Sequence, residues 1–276
     1  MNLKNKVVVI TGAGGVLCSE FARALAQNGC KVALIDLHEE NAKIVADEII
    51  KNGGEALYYG CNVLDKKGLE VVHSDILAKY GKCDILLNGA GGNNPRATTA
   101  KEYYEKGDEA NDEIKTFFNI DKDDFGFVFD LNILGTVLPT QVFSVDMLEK
   151  GGSIINISSM NAFCPLTKIP AYSSAKSGVS NLTQWLAVHF ANAGIRVNAI
   201  APGFFVTKQN KDLLFDSEGK PTKRTEKILN ATPMKRFGEP KELIGTLLWL
   251  CDDDASGFVT GIVVPVDGGF SSYSGV

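Results

Sequence analysis

The chain has few of the residues from which metal sites and disulfide frameworks are built. Its 276 residues include six cysteines and three histidines. His38, His73 and His189 are scattered along the sequence, and no Cys-x-x-Cys pair occurs, so we predict no metal site and no disulfide framework. A reducing, cytoplasmic compartment is the simplest location for such a protein.

Basic blocks and long apolar runs are missing as well. The net charge is −5, which argues against nucleic acid and anionic membranes as partners. The first residues lack the apolar core of a signal peptide, and we expect no apolar stretch to approach the length of a membrane span. We therefore expect a soluble protein that acts on a small molecule.

What the chain does contain is a regular alternation of apolar strands and amphipathic helices. Strands are predicted near 6–10, 31–36, 55–60, 84–88, 152–158, 195–200 and 261–266, and helices near 16–28, 40–52, 66–80, 121–150, 171–193 and 239–251. Such alternation predicts a single-domain, Rossmann-type doubly wound α/β fold over residues 1–276, with about seven parallel strands and helices on both faces.

Two segments interrupt this alternation. The first, 91–121, is charged and loop-rich, with a short helix predicted near 100–106, and the second, 204–233, is polar and rich in lysine. Both follow strands of the predicted parallel sheet. Because ligands bind beyond the carboxyl ends of such strands, we expect both segments to form the walls of a substrate site.

The first strand leads into a glycine-rich turn, Thr11-Gly-Ala-Gly-Gly15, and then into a helix. Glycines allow the backbone to approach a phosphate, and the helix N-terminus offers unpaired N–H groups. The second strand ends at Asp36, whose carboxylate suits a ribose diol and repels a 2′-phosphate. The pattern predicts NAD rather than NADP, although methyltransferases that bind adenosylmethionine share it.

Tyr172 and Lys176 form a Tyr-x-x-x-Lys pair in a predicted helix, where this spacing places both side chains on one face. The ammonium is expected to lower the pKa of the phenol, as a general acid/base in a hydroxyl–carbonyl interconversion requires. Ser159, at the end of the preceding strand, could donate a hydrogen bond to the same substrate oxygen. The pair is weak support by itself and depends on its context.

That context resembles the short-chain dehydrogenase/reductase family over essentially the full length of the chain. The matching features, in order, are Thr11-Gly12 with the following glycines, Asn88-Gly-Ala-Gly91, Asn132, Ser159 placed 13 residues before Tyr172, Pro202-Gly203 followed by Thr207, and Asp267-Gly-Gly269. The resemblance implies that Tyr172 is the acid/base, Lys176 lowers its pKa and binds ribose, Ser159 orients the substrate, and Asn132 holds a proton-relaying water.

The resemblance also implies which residues bind the cofactor and the substrate. The predicted NAD-binding residues are Gly12, Gly14, Gly15, Val16, Leu17, Asp36, Leu37, Asn62, Val63, Asn88, Ala90, Gly91, Tyr172, Lys176, Pro202, Gly203, Phe205 and Thr207. The predicted substrate-binding residues are Asn93, Arg96, Ser159, Asn161 and Tyr172.

Three positions depart from the family pattern. Val16 and Cys18 occupy the last two glycine positions of the cofactor turn, so Gly14 and Gly15 would supply the flexibility. Cys18 could crowd the helix against the sheet or the pyrophosphate. Asn62 stands where an aspartate near the adenine is common, and its amide can still bind the exocyclic amine.

Arg96 follows the fourth strand and would suit a substrate carboxylate, although it could instead pair with an acid of the charged segment after it. Lys168, Lys208 and Lys211 could supplement or replace it. The sequence resembles the D-mannonate oxidoreductase (fructuronate reductase) branch, which implies NAD(H)-dependent interconversion of D-mannonate and D-fructuronate. Gluconate 5-dehydrogenase and 3-oxoacyl carrier-protein reductase remain alternatives, as do a catalytically silent NAD-sensing protein and a methyltransferase.

The helices at 121–150 and 171–193 carry wide apolar faces. Their large apolar residues are Phe125, Phe129, Leu138, Phe143, Leu182, Trp185 and Phe190. In the family the corresponding helices form subunit contacts. We therefore expect a homo-oligomer, most simply a homotetramer.

Overall fold

The computed structural model describes residues 2–206 and 214–275. Seven parallel strands form one sheet in the order β3-β2-β1-β4-β5-β6-β7. The strands are β1 (Val7–Thr11), β2 (Lys31–Asp36), β3 (Glu55–Gly60), β4 (Ile85–Asn88), β5 (Gly152–Ile157), β6 (Ile195–Pro202) and β7 (Val263–Val266). The predicted doubly wound parallel sheet is confirmed.

Helices cover both faces of the sheet, as the alternation of the sequence predicts. They are α1 (Val16–Gln27), α2 (Glu39–Lys51), α3 (Lys66–Tyr80), α4 (Lys122–Phe129), α5 (Gly135–Phe143), α6 (Pro170–His189), α7 (Lys223–Ala231), α8 (Ile244–Cys251) and α9 (Asp253–Ser256). One buried core, with Phe21, Leu25 and Leu247, packs α1, α2 and α8 on one face. A second, with Leu69, Phe143 and Leu186, packs α3, α5 and α6 on the other.

The central strands are apolar along their whole length because both of their faces are covered. Every residue of β1, β4 and β6 is buried. Successive strands run outward from β1 on one side and from β4 on the other, so the strand order reverses between these two strands. In a sheet of this kind the reversal opens a crevice at the carboxyl ends of the strands.

A π-helical turn, Asp130–Leu134, joins α4 to α5 and makes them part of one long helix. This helix, Lys122–Met147, is the one helix in the described part of the chain that is long and apolar enough to cross a membrane. Half of its most apolar window is buried inside the protein, as in the core helix of a soluble protein. The sequence expectation that no stretch approaches that length is thus wrong for this helix.

The segment 91–121 folds into three short 3₁₀ turns, Pro95–Ala97, Asp108–Ala110 and Phe117–Asn119, and the helix predicted near 100–106 does not form. In this part of the segment, side-chain hydrogen bonds and ion pairs hold the backbone instead of helical hydrogen bonds. The ammonium of Lys101 binds both Glu105 and Asp108, and Asp108 also accepts a hydrogen bond from the Glu105 amide at 3.0 Å. Gly107 then turns the chain with a φ of 101°.

Candidate active site

A cavity of about 640 Å³ lies beyond the carboxyl ends of the central strands, where the strand order reverses. Its volume suits a cofactor or substrate of several hundred daltons. Of the predicted cofactor residues, those that line it are Gly12, Gly15, Val16, Leu17, Asp36, Ala90, Gly91, Tyr172, Lys176, Gly203 and Phe205. The predicted substrate residues Asn93, Ser159 and Asn161 line it too.

The glycine turn after β1 is built so that its backbone borders the cavity. Gly12 has a φ of 64°, and a Cβ atom at this position would lie 2.9 Å from the Cα of Ala90. Gly15 precedes α1 as its N-cap and has no side chain, so it offers no side-chain acceptor to the first N–H groups of the helix. A phosphate placed there would meet these donors and the positive end of the helix dipole, so the turn fits a dinucleotide.

Asp36 ends β2 and holds the glycine turn in place. One carboxylate oxygen accepts a hydrogen bond from the Gly14 amide and the other from the His38 amide, each at 3.0 Å. Gly14 itself has no room for a side chain, because a Cβ there would lie 2.4 Å from that of Asn41. The carboxylate is thus fixed beside the glycine turn, where the sequence predicts a contact with ribose.

Cys18 fits beside the turn because residue 89 is glycine. A Cβ at Gly89 would lie 2.2 Å from the Cys18 sulfur. Burial raises the pKa of the Cys18 thiol to about 12, so it packs as a neutral side chain. The crowding expected at Cys18 is therefore relieved at Gly89.

The predicted catalytic residues come together from two neighbouring elements. Ser159 follows β5, and its hydroxyl accepts a hydrogen bond from the Asn161 amide at 3.2 Å. Tyr172 and Lys176 lie in the first turns of α6. The Lys176 ammonium donates to the Ile157 carbonyl at 2.7 Å and lies 5.7 Å from the centre of the Tyr172 ring.

Burial controls the protonation of this pair. It lowers the pKa of Lys176 to about 8 and raises the pKa of Tyr172, while an interaction with Ser159 acts in the opposite direction on the tyrosine. The predicted fall in the pKa of Tyr172 is therefore wrong for this structure, because removal of the phenol from water outweighs the groups that favour phenolate.

Asn132 lies in the π-helical turn and is fully buried. Its amide nitrogen donates to the carbonyls of Gly92 and Val128, each at 2.8 Å, and its oxygen accepts from the Gly92 amide at 3.2 Å. A Cβ at Gly91 would lie 2.7 Å from the Asn132 oxygen and 3.1 Å from the Lys176 nitrogen. Asn132 thus anchors the start of segment 91–121 and lies just behind the cavity wall.

Several predicted cofactor residues do not line the cavity in the described part of the chain, and their part in NAD binding stays a prediction. Asn88 is buried, and its amide nitrogen donates to Asn156 and Thr140 at 2.9 and 3.0 Å, so it joins β4 to its neighbours. The oxygen of Asn62 caps its own turn by accepting from the Leu64 amide. The others that lie outside the lining are Gly14, Leu37, Val63 and Pro202. Thr207, with Lys208 and Lys211, lies outside the described residues.

Arg96 does not reach the cavity either. Its guanidinium lies 2.9 Å from the carboxylate of Asp124, and 70% of its side chain is exposed. The structure shows an ion pair, as the alternative from the sequence proposed, but the acid, Asp124, lies in α4, just after the charged segment. Arg224, which the sequence analysis did not select, lines the cavity instead. One feature of the sequence could have indicated Arg224: it lies in the segment 204–233, which was predicted to form a wall of the substrate site.

The comparisons with known proteins agree with this geometry. A family model described as enoyl-(acyl carrier protein) reductase matches residues 13–271. The chain belongs to the short-chain dehydrogenase/reductase family. A relative from Haemophilus influenzae, an uncharacterized oxidoreductase, is 59% identical over all of this chain and 96% of its own length.

Two solved structures that are similar to this chain have NAD bound. One, from Haemophilus, is described as a candidate D-mannonate oxidoreductase with bound NAD; it is 59% identical, has a TM-score of 0.96, and is matched over 100% of this chain and 98% of its own. The other, an NAD⁺-bound xylitol dehydrogenase, is 27% identical with a TM-score of 0.83 over 98% and 100% of the two chains. The prediction of an NAD-dependent oxidoreductase is confirmed.

Proposed function

We propose that this short-chain dehydrogenase/reductase interconverts a secondary alcohol and a ketone on a sugar acid, D-mannonate and D-fructuronate, with NAD(H). The observation that carries the proposal is the 59% identity and TM-score of 0.96, over the whole chain, to the candidate D-mannonate oxidoreductase. The polar wall of the cavity supports it, since Asn93, Ser159 and Asn161 offer amides and a hydroxyl to a polyol. The buried oxygen of Asn161 has no hydrogen-bond partner within the described residues.

In the proposed mechanism, Tyr172 gives a proton to the substrate oxygen during reduction and takes it back during oxidation. Ser159 donates a hydrogen bond to the same oxygen and fixes its direction. Lys176, held by the Ile157 carbonyl, stabilises the phenolate as the proton leaves. When bound, the nicotinamide supplies or accepts the hydride. Asn132 lies behind Gly91 and does not line the cavity. We therefore propose that it acts in the proton relay indirectly, through groups on the other side of Gly91.

The test is a comparison of kcat/KM with NADH for three substrates: D-fructuronate, 5-ketogluconate and an acetoacetyl thioester. We expect D-fructuronate to be best. A preference for 5-ketogluconate would make the enzyme a gluconate 5-dehydrogenase, and a preference for the thioester would make it a 3-oxoacyl reductase.

Tyr172→Phe serves as the control for this comparison. It should lower every rate by about 10²–10⁴-fold, because a general acid/base is worth that much, and leave NADH affinity nearly unchanged. NADH binding without turnover by the wild-type chain on any substrate would favour the silent NAD-sensing protein.

We also propose that the enzyme works in the cytoplasm. All six cysteines are free thiols, and four of them are buried. Free thiols persist in a reducing compartment, which supports the cytoplasmic assignment.

A further inference from the structure

Arg224 stands apart from the other arginines of the chain. Four of the five arginines form ion pairs: Arg23 with Glu48, Arg96 with Asp124, Arg196 with Asp253, and Arg236 with Glu242. Arg224 forms no ion pair or hydrogen bond with any residue in 2–206 or 214–275. The residue is exposed and lines the active-site cavity.

Lys176, the other cationic residue of the described cavity wall, already has a hydrogen-bond partner. Lys176 is buried and donates to the Ile157 carbonyl beneath the catalytic tyrosine. Of the described residues that line the cavity, these two are the cationic ones, and Asp36 at the cofactor turn is the acidic one. A substrate anion in this cavity therefore has Arg224 as its one uncommitted cationic partner.

The surroundings of Arg224 strengthen its attraction for an anion. A neighbouring cavity of about 420 Å³ shares Leu166, Phe204 and Arg224 with the active-site cavity. Its other charged lining residues are Glu102, Lys168, Lys223 and Lys227. Lys227 pairs with Glu102 at 2.8 Å, and the same carboxylate also attracts Lys168 and Arg224. One acidic residue therefore faces four cationic ones, and the wall keeps a net positive charge.

Helix geometry acts in the same direction. Arg224 lies in the first turn of α7, which begins after Thr222, whose hydroxyl accepts from the Thr225 amide. The positive end of the helix dipole therefore lies beside the guanidinium. Glu226 in the same turn is exposed and lines neither cavity, so it opposes the effect from the solvent side.

We infer that Arg224 binds the carboxylate of the substrate in a two-pronged hydrogen-bonded ion pair, and so determines the preference of the enzyme for acids over neutral sugars. This inference rests on the proposed sugar-acid function. Ser159 and Tyr172 hold the reacting oxygen, and Asn161 faces the hydroxyl-bearing carbons between the two ends. A guanidinium matches the planar, two-oxygen geometry of a carboxylate better than an ammonium does.

The experiment compares D-fructuronate with its uncharged amide, which has the same carbon chain. We expect Arg224→Gln to lower kcat/KM for the acid about 10- to 100-fold, mainly through KM, because one charge-assisted contact is lost. The amide should change less than about threefold. Lys223→Gln is the matched control: it removes one exposed charge from the same helical turn, but this residue lines only the neighbouring cavity. It should lower kcat/KM for the acid by less than about threefold and leave the amide unchanged. Unchanged thermal unfolding of both variants will show that they fold.

Each result supports or overturns the inference. If the wild-type enzyme does not prefer the acid to the amide, the sugar-acid function falls and the inference falls with it. If the wild type prefers the acid but Arg224→Gln keeps that preference, the proposed function stands and only Arg224 is wrongly assigned. Equal losses in Arg224→Gln and Lys223→Gln would show a general charge effect. A raised KM for NADH with both substrates would make Arg224 a cofactor residue.

Discussion

We expect Asp36 to determine the preference of the enzyme for NAD over NADP. Its carboxylate is fixed by the amides of Gly14 and His38, so it cannot turn away from a 2′-phosphate without breaking those bonds. Asp36→Ala should reduce the preference for NAD over NADP by about 10- to 100-fold, because a like-charge repulsion is removed. The ratio of kcat/KM for the two cofactors measures it.

Asp36→Asn separates charge from geometry in this prediction. The asparagine retains one oxygen acceptor for the glycine turn but carries no charge. It should relax the discrimination about as much as alanine does. A wild-type preference for NADP would refute the role of Asp36 outright.

Lys176 makes the folded chain less stable than it could be at neutral pH. Its pKa falls from 10.5 to about 8 on folding, because its ammonium is removed from water. The unfolded chain therefore holds more protons between these two values. The free energy of unfolding of the wild type should rise with pH across this window, and the penalty for the buried charge is fully present below pH 8.

Lys176→Met should accordingly be more stable than the wild type at pH 7 by about 1–3 kcal/mol, after allowance for the lost bond to the Ile157 carbonyl. It should also lose nearly all activity. The advantage should shrink between pH 8 and 10.5, as urea unfolding at several pH values will measure. Lys67→Met, at an exposed position, is the control and should change stability little at any pH. Equal stabilities of wild type and Lys176→Met at pH 7 would contradict the prediction.

At the scale of elements, α1 and the loop after β4 are fitted to each other through Cys18 and Gly89. Gly89→Ala should destabilise the protein by about 1–3 kcal/mol, since the new methyl group meets the Cys18 sulfur and the Thr11 carbonyl. Cys18→Ala should recover part of this loss in the double variant. The Thr11 contact, 2.8 Å from the added Cβ, prevents full recovery.

A double-mutant cycle in urea measures this coupling. We expect an interaction energy of about 1–2 kcal/mol between positions 18 and 89. If the effects of the two substitutions simply add, the fit between α1 and the loop is not a specific one.

The elements themselves could be predicted from the sequence because their apolar periodicity is strong. The seven strands lie where the apolar runs predict them, and Ser159, Tyr172 and Lys176 meet because β5 and α6 bring them to one edge of the sheet. The site of the substrate cation could not be predicted in this way. Arg96 follows β4 as expected, but its direction is set by Asp124, which lies far along the chain.

For the whole molecule, we propose the homotetramer expected from the sequence. Part of the predicted apolar surface is intramolecular: Phe143 is buried, and Leu182 and Phe190 pack against the second core. The helices nevertheless leave other large apolar side chains exposed, namely Phe127, Leu134, Val145, Leu148, Trp185 and Val188. A surface of this kind on two adjacent helices suits a second copy of the chain.

Light scattering should give about four times the chain mass of 29.7 kDa. A charge placed on the proposed interface, Trp185→Glu, should reduce this mass. Val71→Glu, on an exposed apolar residue of α3, should leave it unchanged. A wild-type mass equal to one chain would refute the assembly.

The reversal of strand order between β1 and β4 also governs how the chain can fold during its synthesis. β1 can pair with β2 soon after both strands are synthesised. The other edge of β1 pairs with β4, where Val8 lies opposite Ile85, so it stays unpaired until β4 has been synthesised. At a ribosomal rate of about 5–20 residues per second, the apolar edge of β1 stays without its partner for several seconds. During that interval the nascent chain offers an open β-edge to other chains, and a chaperone that covers it would raise the yield of folded enzyme.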